Sequence, residues 1–184
     1  MIYLASTSPR RKKLLKQYGI VFKTIRPDYH EKNGPKDPPS ITVKKHALAK
    51  AVSCVSRVKE GVILGSDTIV YFRGNIIGKP KNFSDAINIL SDLQARWHVV
   101  YTGVAVLTIK DRKIIKKKTF VEKTKVHLKK MDRPEILRYL KKIKPLDKAG
   151  SYAIQSKNTG IITQVQGLLS NAIGLPIERL ERYL

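Results

Sequence analysis

Apolar positions along the chain change between a period of about two and a period of about 3.6 residues, and each change marks an element. Ile2 to Ala5 is a short apolar run that predicts a strand. Ser8 before Pro9 supplies an N-cap followed by a proline at the first helical position, so a helix is expected from Pro9 to about Tyr18, ended by Gly19. Val21 to Ile25 reads as a second strand. The stretch RPDYHEKNGPKDPPS, rich in proline, glycine and charge, predicts a long loop, and loops of that length inside compact domains usually carry function. Ser40 then caps a helix through about Val58, with Val43, Ala47, Lys50, Ala51 and Cys54 at helical spacing.

Val62 to Gly65 predicts a buried strand ending at Ser66-Asp67-Thr68, and Ile69 to Phe72 continues extended to a turn at Arg73-Gly74-Asn75. Ser84 opens a helix to about Gln94. Val99 to Ile109 and Ile114 to His127 read as two long strands joined at Lys110-Asp111-Arg112-Lys113. Asp132 and Pro134 start a helix that ends before Pro145, Thr159 to Val165 reads as a strand, and Pro176 starts a terminal helix. Strands alternating with helices indicate an α/β fold, and the long hairpin makes its sheet mixed rather than purely parallel. No repeat or linker divides the sequence, so residues 1–184 read as one domain.

Charge changes this picture less than its size suggests. Thirty-seven basic residues against fourteen acidic ones give a net charge of +23, which attracts polyanions, but 42% hydrophobic residues are enough for a core. The segment from Lys110 to Lys148 holds sixteen basic and five acidic residues, yet it alternates with Ile, Phe and Val as a half-buried antiparallel pair would. It reads as a solvated basic sheet face rather than a nucleic-acid surface, since only four Phe and one Trp are present to stack bases. No run of eighteen apolar residues predicts a membrane span. The opening MIYLASTSPRRKK puts charge after a very short apolar stretch, the reverse of a secretory signal, so a cytoplasmic protein is expected. Cys54 alone excludes a disulfide framework and a cysteine zinc site.

Several constellations bear chemistry, each beside a plainer reading. Ser6-Thr7-Ser8-Pro9-Arg10-Arg11 sets hydroxyls and two guanidiniums at a helix N-terminus, which suits a polyphosphate; an ordinary cap with surface basic residues is the plainer reading. Asp67, expected at a strand end, is a metal ligand or general base, or else a turn aspartate bonded to its own backbone. Gly78-Lys79-Pro80 places a lysine in a tight turn without the spacing of a P-loop, and taken alone is a surface turn. Lys50 in HALAKA taken alone is a snorkelling lysine. Asp28 and Glu31 in the long loop offer metal-binding oxygens. Gln155 presents a donor and an acceptor side by side, matching the N3–H and carbonyl of thymine or uracil, or else faces the core. His30, His46, His98 and His127 have no metal spacing, and Cys54 reads as a small core residue.

Together these pieces resemble the Maf family of nucleoside triphosphate pyrophosphatases (septum formation inhibitor Maf-like). The resemblance rests on LASTSPRRKKLL, Glu31, ALAKA, GSDTIV, GKP, YTGVAV, DKAGSYAIQ and NAIGLP, in family order across essentially the whole chain. It implies a mixed, strongly twisted sheet flanked by helices, in two lobes around a central cleft, as in the anomalous nucleotide pyrophosphatase fold. It also implies a cytoplasmic, metal-dependent hydrolase acting on the α–β phosphoanhydride, with Mg²⁺ or Mn²⁺. Matched by position, Asp67 is the family's proposed general base, and Arg10, Thr68 and Gln155 are linked to base choice. Arg11, Lys50 and Lys79 match phosphate contacts alongside Ser6 and Ser8 of the first motif, and Glu31 a metal-associated acid that joins Asp67. SPRR with SDT and AIQ looks like the branch that prefers dTTP and UTP, a house-cleaning role in nucleotide pools. The chain departs from the family after Gln155, where glycines usually follow and SKNTGIITQVQGLLSN stands instead.

The mechanism so implied has a metal ion held by Asp67 and Glu31, water attacking the α-phosphorus, and Arg10, Arg11, Lys50 and Lys79 offsetting triphosphate charge. The alternative from another class is a nucleic-acid-binding or regulatory protein on the same fold that uses the basic surface; its binding would weaken steeply with salt. Some members of the family look like homodimers, and no stretch of this sequence identifies a dimer face.

Overall fold

The computed structural model describes residues 1–30, 37–154 and 160–183. Among them seven strands, β1 (Ile2–Ala5), β2 (Phe22–Ile25), β3 (Gly61–Phe72), β4 (Asn75–Ile77), β5 (Trp97–Lys110), β6 (Lys113–Leu128) and β7 (Ile162–Gln166), form one sheet. Its order is β2-β1-β3-β5-β6-β7, with β4 on β3. β1 runs parallel to β2 and β3, whereas β3–β4 and β6–β7 are antiparallel, so the expected mixed sheet is present. Among the described residues six α-helices accompany it: α1 (Pro9–Gln17), α2 (Pro39–Val52), α3 (Phe83–Leu93), α4 (Arg133–Ile143), α5 (Leu169–Ile173) and α6 (Ile177–Leu180).

The chain divides into two compact units. The first is Met1–Thr68, Thr102–Glu122 and Gly174–Leu184; the second is Ile69–Tyr101 and Lys123–Ile173. In the first unit α2 buries the small side chains Ala47 and Ala51, with Cys54 just beyond its end, against Ala5, Ile63, Ala105 and Leu107. Two glycines permit that closeness. A Cβ on Gly65 would lie 2.1 Å from the Ala47 carbonyl oxygen, and one on Gly103 would lie 2.3 Å from that of Val43. The second unit has its own core, in which Leu90 and Leu93 of α3 and Ile136 and Leu140 of α4 pack with Val100, Val126 and Leu128.

Five local expectations change. Ser40 is not the cap of α2; Pro38 precedes the helix and its carbonyl accepts from Ile41 and Thr42, with Pro39 preset at the first helical position. The helix also stops at Val52 rather than Val58, because the Ser53 hydroxyl and Cys54 thiol donate to the Lys50 carbonyl and the chain tightens into a short 3₁₀ turn at Val55–Arg57. Asn82, not Ser84, caps α3, its side chain accepting from the Asp85 N–H. β3 does not end at Asp67 but runs on to Phe72, because its partners change along its length. Parallel pairing with β1 ends at Ala5 opposite Gly65, and antiparallel pairing with β4 begins at Val70. Lastly, the basic start of β6, Lys113 to Lys118, is exposed on both faces rather than half-buried. β7 covers β6 only from Lys125 to Leu128, so this upstream stretch lies beyond it. The turn before it, Asp111-Arg112, has φ of 50° and 58°, the paired positive values that suit a right-twisted hairpin.

Candidate active site

Alternation along β3 divides its side chains into two sets, and both sets are functional candidates. Ile63, Gly65 and Asp67 face α2: Ile63 packs with Ala47 and Ala51, Gly65 admits the helix backbone, and Asp67 meets Lys50. Ser66 and Thr68 point the other way, toward Arg11 and the Gly174 carbonyl. β1 ends at Ala5 opposite Gly65, so Asp67 stands just past the point where the chain leaves the sheet for the Ser6–Ser8 loop.

Asp67 is 4% exposed and Lys50 8%, with Nζ 2.6 Å from Oδ1. An ion pair this deep is costly to form and costlier to leave half-made, so each partner fixes the other. The His46 Nδ1 lies 3.9 Å from Oδ2 of the same carboxylate. His46 stands one helical turn before Lys50, which puts both on the α2 face that carries Val43, Ala47 and Ala51.

On the opposite face of β3, Arg11 is 9% exposed and acts as a clamp. Its Nε donates to the Gly174 carbonyl at 2.8 Å, Nη1 to Ser6 Oγ at 3.2 Å, and Nη2 to Thr68 Oγ1 at 3.0 Å. Thr68 Oγ1 also lies 3.0 Å from Thr102 Oγ1, and Ser66 Oγ donates to the Gly174 carbonyl at 2.9 Å. Gly174 has φ +126°, a value that L side chains rarely adopt. Ser8 precedes α1 but makes no side-chain cap; its N–H donates to Ser6 Oγ at 3.2 Å. Arg10, half-buried, follows on the first turn of α1.

The first unit thus gathers Ser6, Ser8, Arg11, Lys50, Asp67 and Thr68. Lys79 belongs to the second unit, exposed between β4 and the buried Pro80. There the Gly78 carbonyl accepts from the Gly150 N–H at 3.2 Å. The segment after Gly150 is fastened as well: Tyr152 Oη lies 2.7 Å from His98 Nε2, and the Ala153 N–H donates to Tyr139 Oη at 2.9 Å. Burial pushes the His98 pKa down to about 4 and that of Tyr152 up. Gln155 and Glu31 lie outside the described residues. Asp28 is exposed, its N–H donating to Ser53 Oγ. Cys54 is buried as expected, and burial raises its thiol pKa.

Residue patterns missed His46, Thr102 and the Gly174 carbonyl. His46 had a readable signal in its four-residue spacing from Lys50, whereas a carbonyl acceptor leaves none in sequence.

Among the described residues no group of three His, Cys, Asp or Glu side chains could hold a metal ion. No helix among them is long and apolar enough to cross a membrane.

Comparisons with known proteins bear on the family and the fold. The chain is 44% identical over 180 residues to a Thermosipho melanesiensis protein named dTTP/UTP pyrophosphatase, covering 97% of this chain and 93% of that one. It is 40% identical over 184 residues to a Dictyoglomus thermophilum protein of the same name, covering 100% and 94%. A solved Staphylococcus aureus Ham1 protein shares the fold with a TM-score of 0.54 at 12% identity, over 99% of this chain and 96% of that one. With a family model described as Maf-like protein matching residues 1–184, the chain belongs to the Maf family.

Proposed function

We propose that this chain is a nucleoside triphosphate pyrophosphatase that hydrolyses dTTP and UTP to the monophosphate and pyrophosphate, in the cytoplasm. The observation that carries the reading is the buried Lys50–Asp67 pair, set beside a hydroxyl- and arginine-bearing loop at a helix N-terminus. The family and the names of its relatives support the same reaction, and they lend no support to the nucleic-acid-binding alternative.

In the proposed reaction the water oxygen bonds to the α-phosphorus and the bond from that phosphorus to the bridging oxygen breaks, so pyrophosphate leaves. Asp67 orients the water and accepts its proton. A carboxylate fixed at Oδ1 by Lys50 is already aligned for this, which lowers the entropy cost of reaching the reacting geometry. The positive charge of Lys50, beside Asp67, is also assigned to offsetting triphosphate charge, as are Arg10 and Lys79. Arg11 spends its guanidinium on Ser6, Thr68 and the Gly174 carbonyl, so we assign it the ordering of the loop that the phosphates meet. Gln155, with Arg10 and Thr68, is assigned to the pyrimidine base.

A divalent cation suits this donor set. Asp67 keeps Oδ2 without a hydrogen bond among the described residues, and one or two carboxylates completed by phosphate oxygens and water are the usual Mg²⁺ environment. Asp67 and Glu31 would hold it, and when bound it supplies Lewis-acid charge compensation at the phosphates. Pyrophosphate release from a panel of nucleoside triphosphates, with Mg²⁺ or Mn²⁺ and then with chelator, tests the proposal. Turnover of dTTP and UTP that chelator abolishes is expected. Preference for a purine nucleotide would reject the assigned base site, and no hydrolysis of any nucleotide would reject the activity.

A further inference from the structure

His46 stands where an apolar side chain would be simpler. It lies on the α2 face that otherwise packs Val43, Ala47 and Ala51, and it is 5% exposed. Its Nδ1 is buried without a hydrogen-bond partner among the described residues. A buried polar nitrogen left unmatched costs stability that leucine at the same place would not. What Nδ1 faces is Oδ2 of Asp67 at 3.9 Å, about 1 Å beyond a made bond. The ring is held in this aim by Tyr29, whose own ring meets it edge-on at 5.8 Å and 82°.

We propose that His46 is a positioning residue that acts through Asp67: its Nδ1 closes on Oδ2 in the substrate-bound state and fixes the plane of the carboxylate. The inference rests on the assignment of Asp67 to the reaction. Lys50 holds Oδ1, and one contact leaves the carboxylate able to turn about its Cβ–Cγ bond, so a second contact at Oδ2 is needed to fix its plane. His46 supplies that contact. An oxygen with two lone pairs that accepts from Nδ1 keeps one for water or a cation, so the contact orients Oδ2 without blocking it. Outer partners of this kind typically affect activity by about 10–100-fold when removed.

The test compares wild type, His46→Leu, His46→Asn and Asp67→Asn in dTTP hydrolysis with Mg²⁺, with thermal unfolding of each protein. His46→Leu is expected to lose about tenfold or more in kcat, with KM within about twofold and a Tm equal to or above wild type. His46→Asn, whose amide nitrogen sits near the place of Nδ1, is expected to recover most of the lost kcat. A structural role would give the opposite pairing, loss of Tm without recovery by asparagine, and that result overturns the proposal. An unchanged kcat in His46→Leu beside an inactive Asp67→Asn overturns it while leaving the Asp67 assignment standing. An active Asp67→Asn removes the assignment on which it rests.

Discussion

Replacing Lys50 by methionine keeps the length of the side chain and removes its charge. The Asp67 carboxylate then stays in place at 4% exposure, without the ammonium that sat 2.6 Å from Oδ1. At that burial, bulk water compensates the stranded charge poorly. Breaking a buried pair from one side costs about 3–5 kcal/mol, most of it the desolvation of the charge left behind. At about 2–4 °C per kcal/mol for a chain of this size, Lys50→Met should melt roughly 6–20 °C below wild type. Lys50→Met with Asp67→Leu removes both charges and should return to within about 1 kcal/mol of wild type, or exceed it. Urea unfolding of wild type, both single variants and the double variant gives the coupling between the two sites, expected at about 5 kcal/mol or more, since each single variant costs about 3–5 kcal/mol and the double about 1 at most. A single variant within about 1 kcal/mol of wild type, with an additive double variant, would refute the claim that the pair is desolvated.

Four further variants test the packing elsewhere. Gly65→Ala forces a methyl to within 2.1 Å of the Ala47 carbonyl oxygen and should cost about 2–3 kcal/mol and most of the activity, since Lys50 and His46 ride on α2. Gly78→Ala, with nothing within 4 Å, should change stability by less than about 0.5 kcal/mol; equal losses in the two variants by urea titration would contradict the packing account. Arg11→Lys retains the charge but not the three-way fork, and should lower stability by about 1–3 kcal/mol in the same titration; an unchanged midpoint would mean the clamp is idle. His98 has a folded pKa of about 4 against an ordinary 6.5, so the unfolded chain takes up the proton first. Its contribution is whole above about pH 6.5 and lost as pH falls toward 4, about 3 kcal/mol in all. Melting curves of His98→Asn should therefore lose less Tm than wild type over that interval, and parallel curves would count against the buried, uncharged histidine.

Element type was legible along most of the chain because each element carries its own period and punctuation. Asp132 and Glu135 form the reciprocal cap at the start of α4, and the β5–β6 turn falls where the charged Lys110–Lys113 tetrapeptide interrupts the alternation. What misled was tertiary. Asp67 looks like a strand end because hydrophobicity breaks at Ser66-Asp67-Thr68, yet the strand continues, since an α2 face carrying Lys50 can bury a carboxylate that a purely apolar face would expel. Arg10 and Arg11 are adjacent and alike in sequence; only the fold shows that Arg11 points inward to the Gly174 carbonyl, 163 positions away. Nothing in the sequence marks Gly65 and Gly103 as the places where the α2 backbone lies against the sheet.

The central claim is that Asp67 serves the attack on the α-phosphorus. Pyrophosphate release from dTTP with Mg²⁺, by wild type and by Asp67→Asn at a temperature where circular dichroism finds both folded, tests it most directly. The account predicts a loss of at least about a hundredfold in kcat for the variant. A folded Asp67→Asn protein that turns over dTTP at the wild-type rate would contradict it.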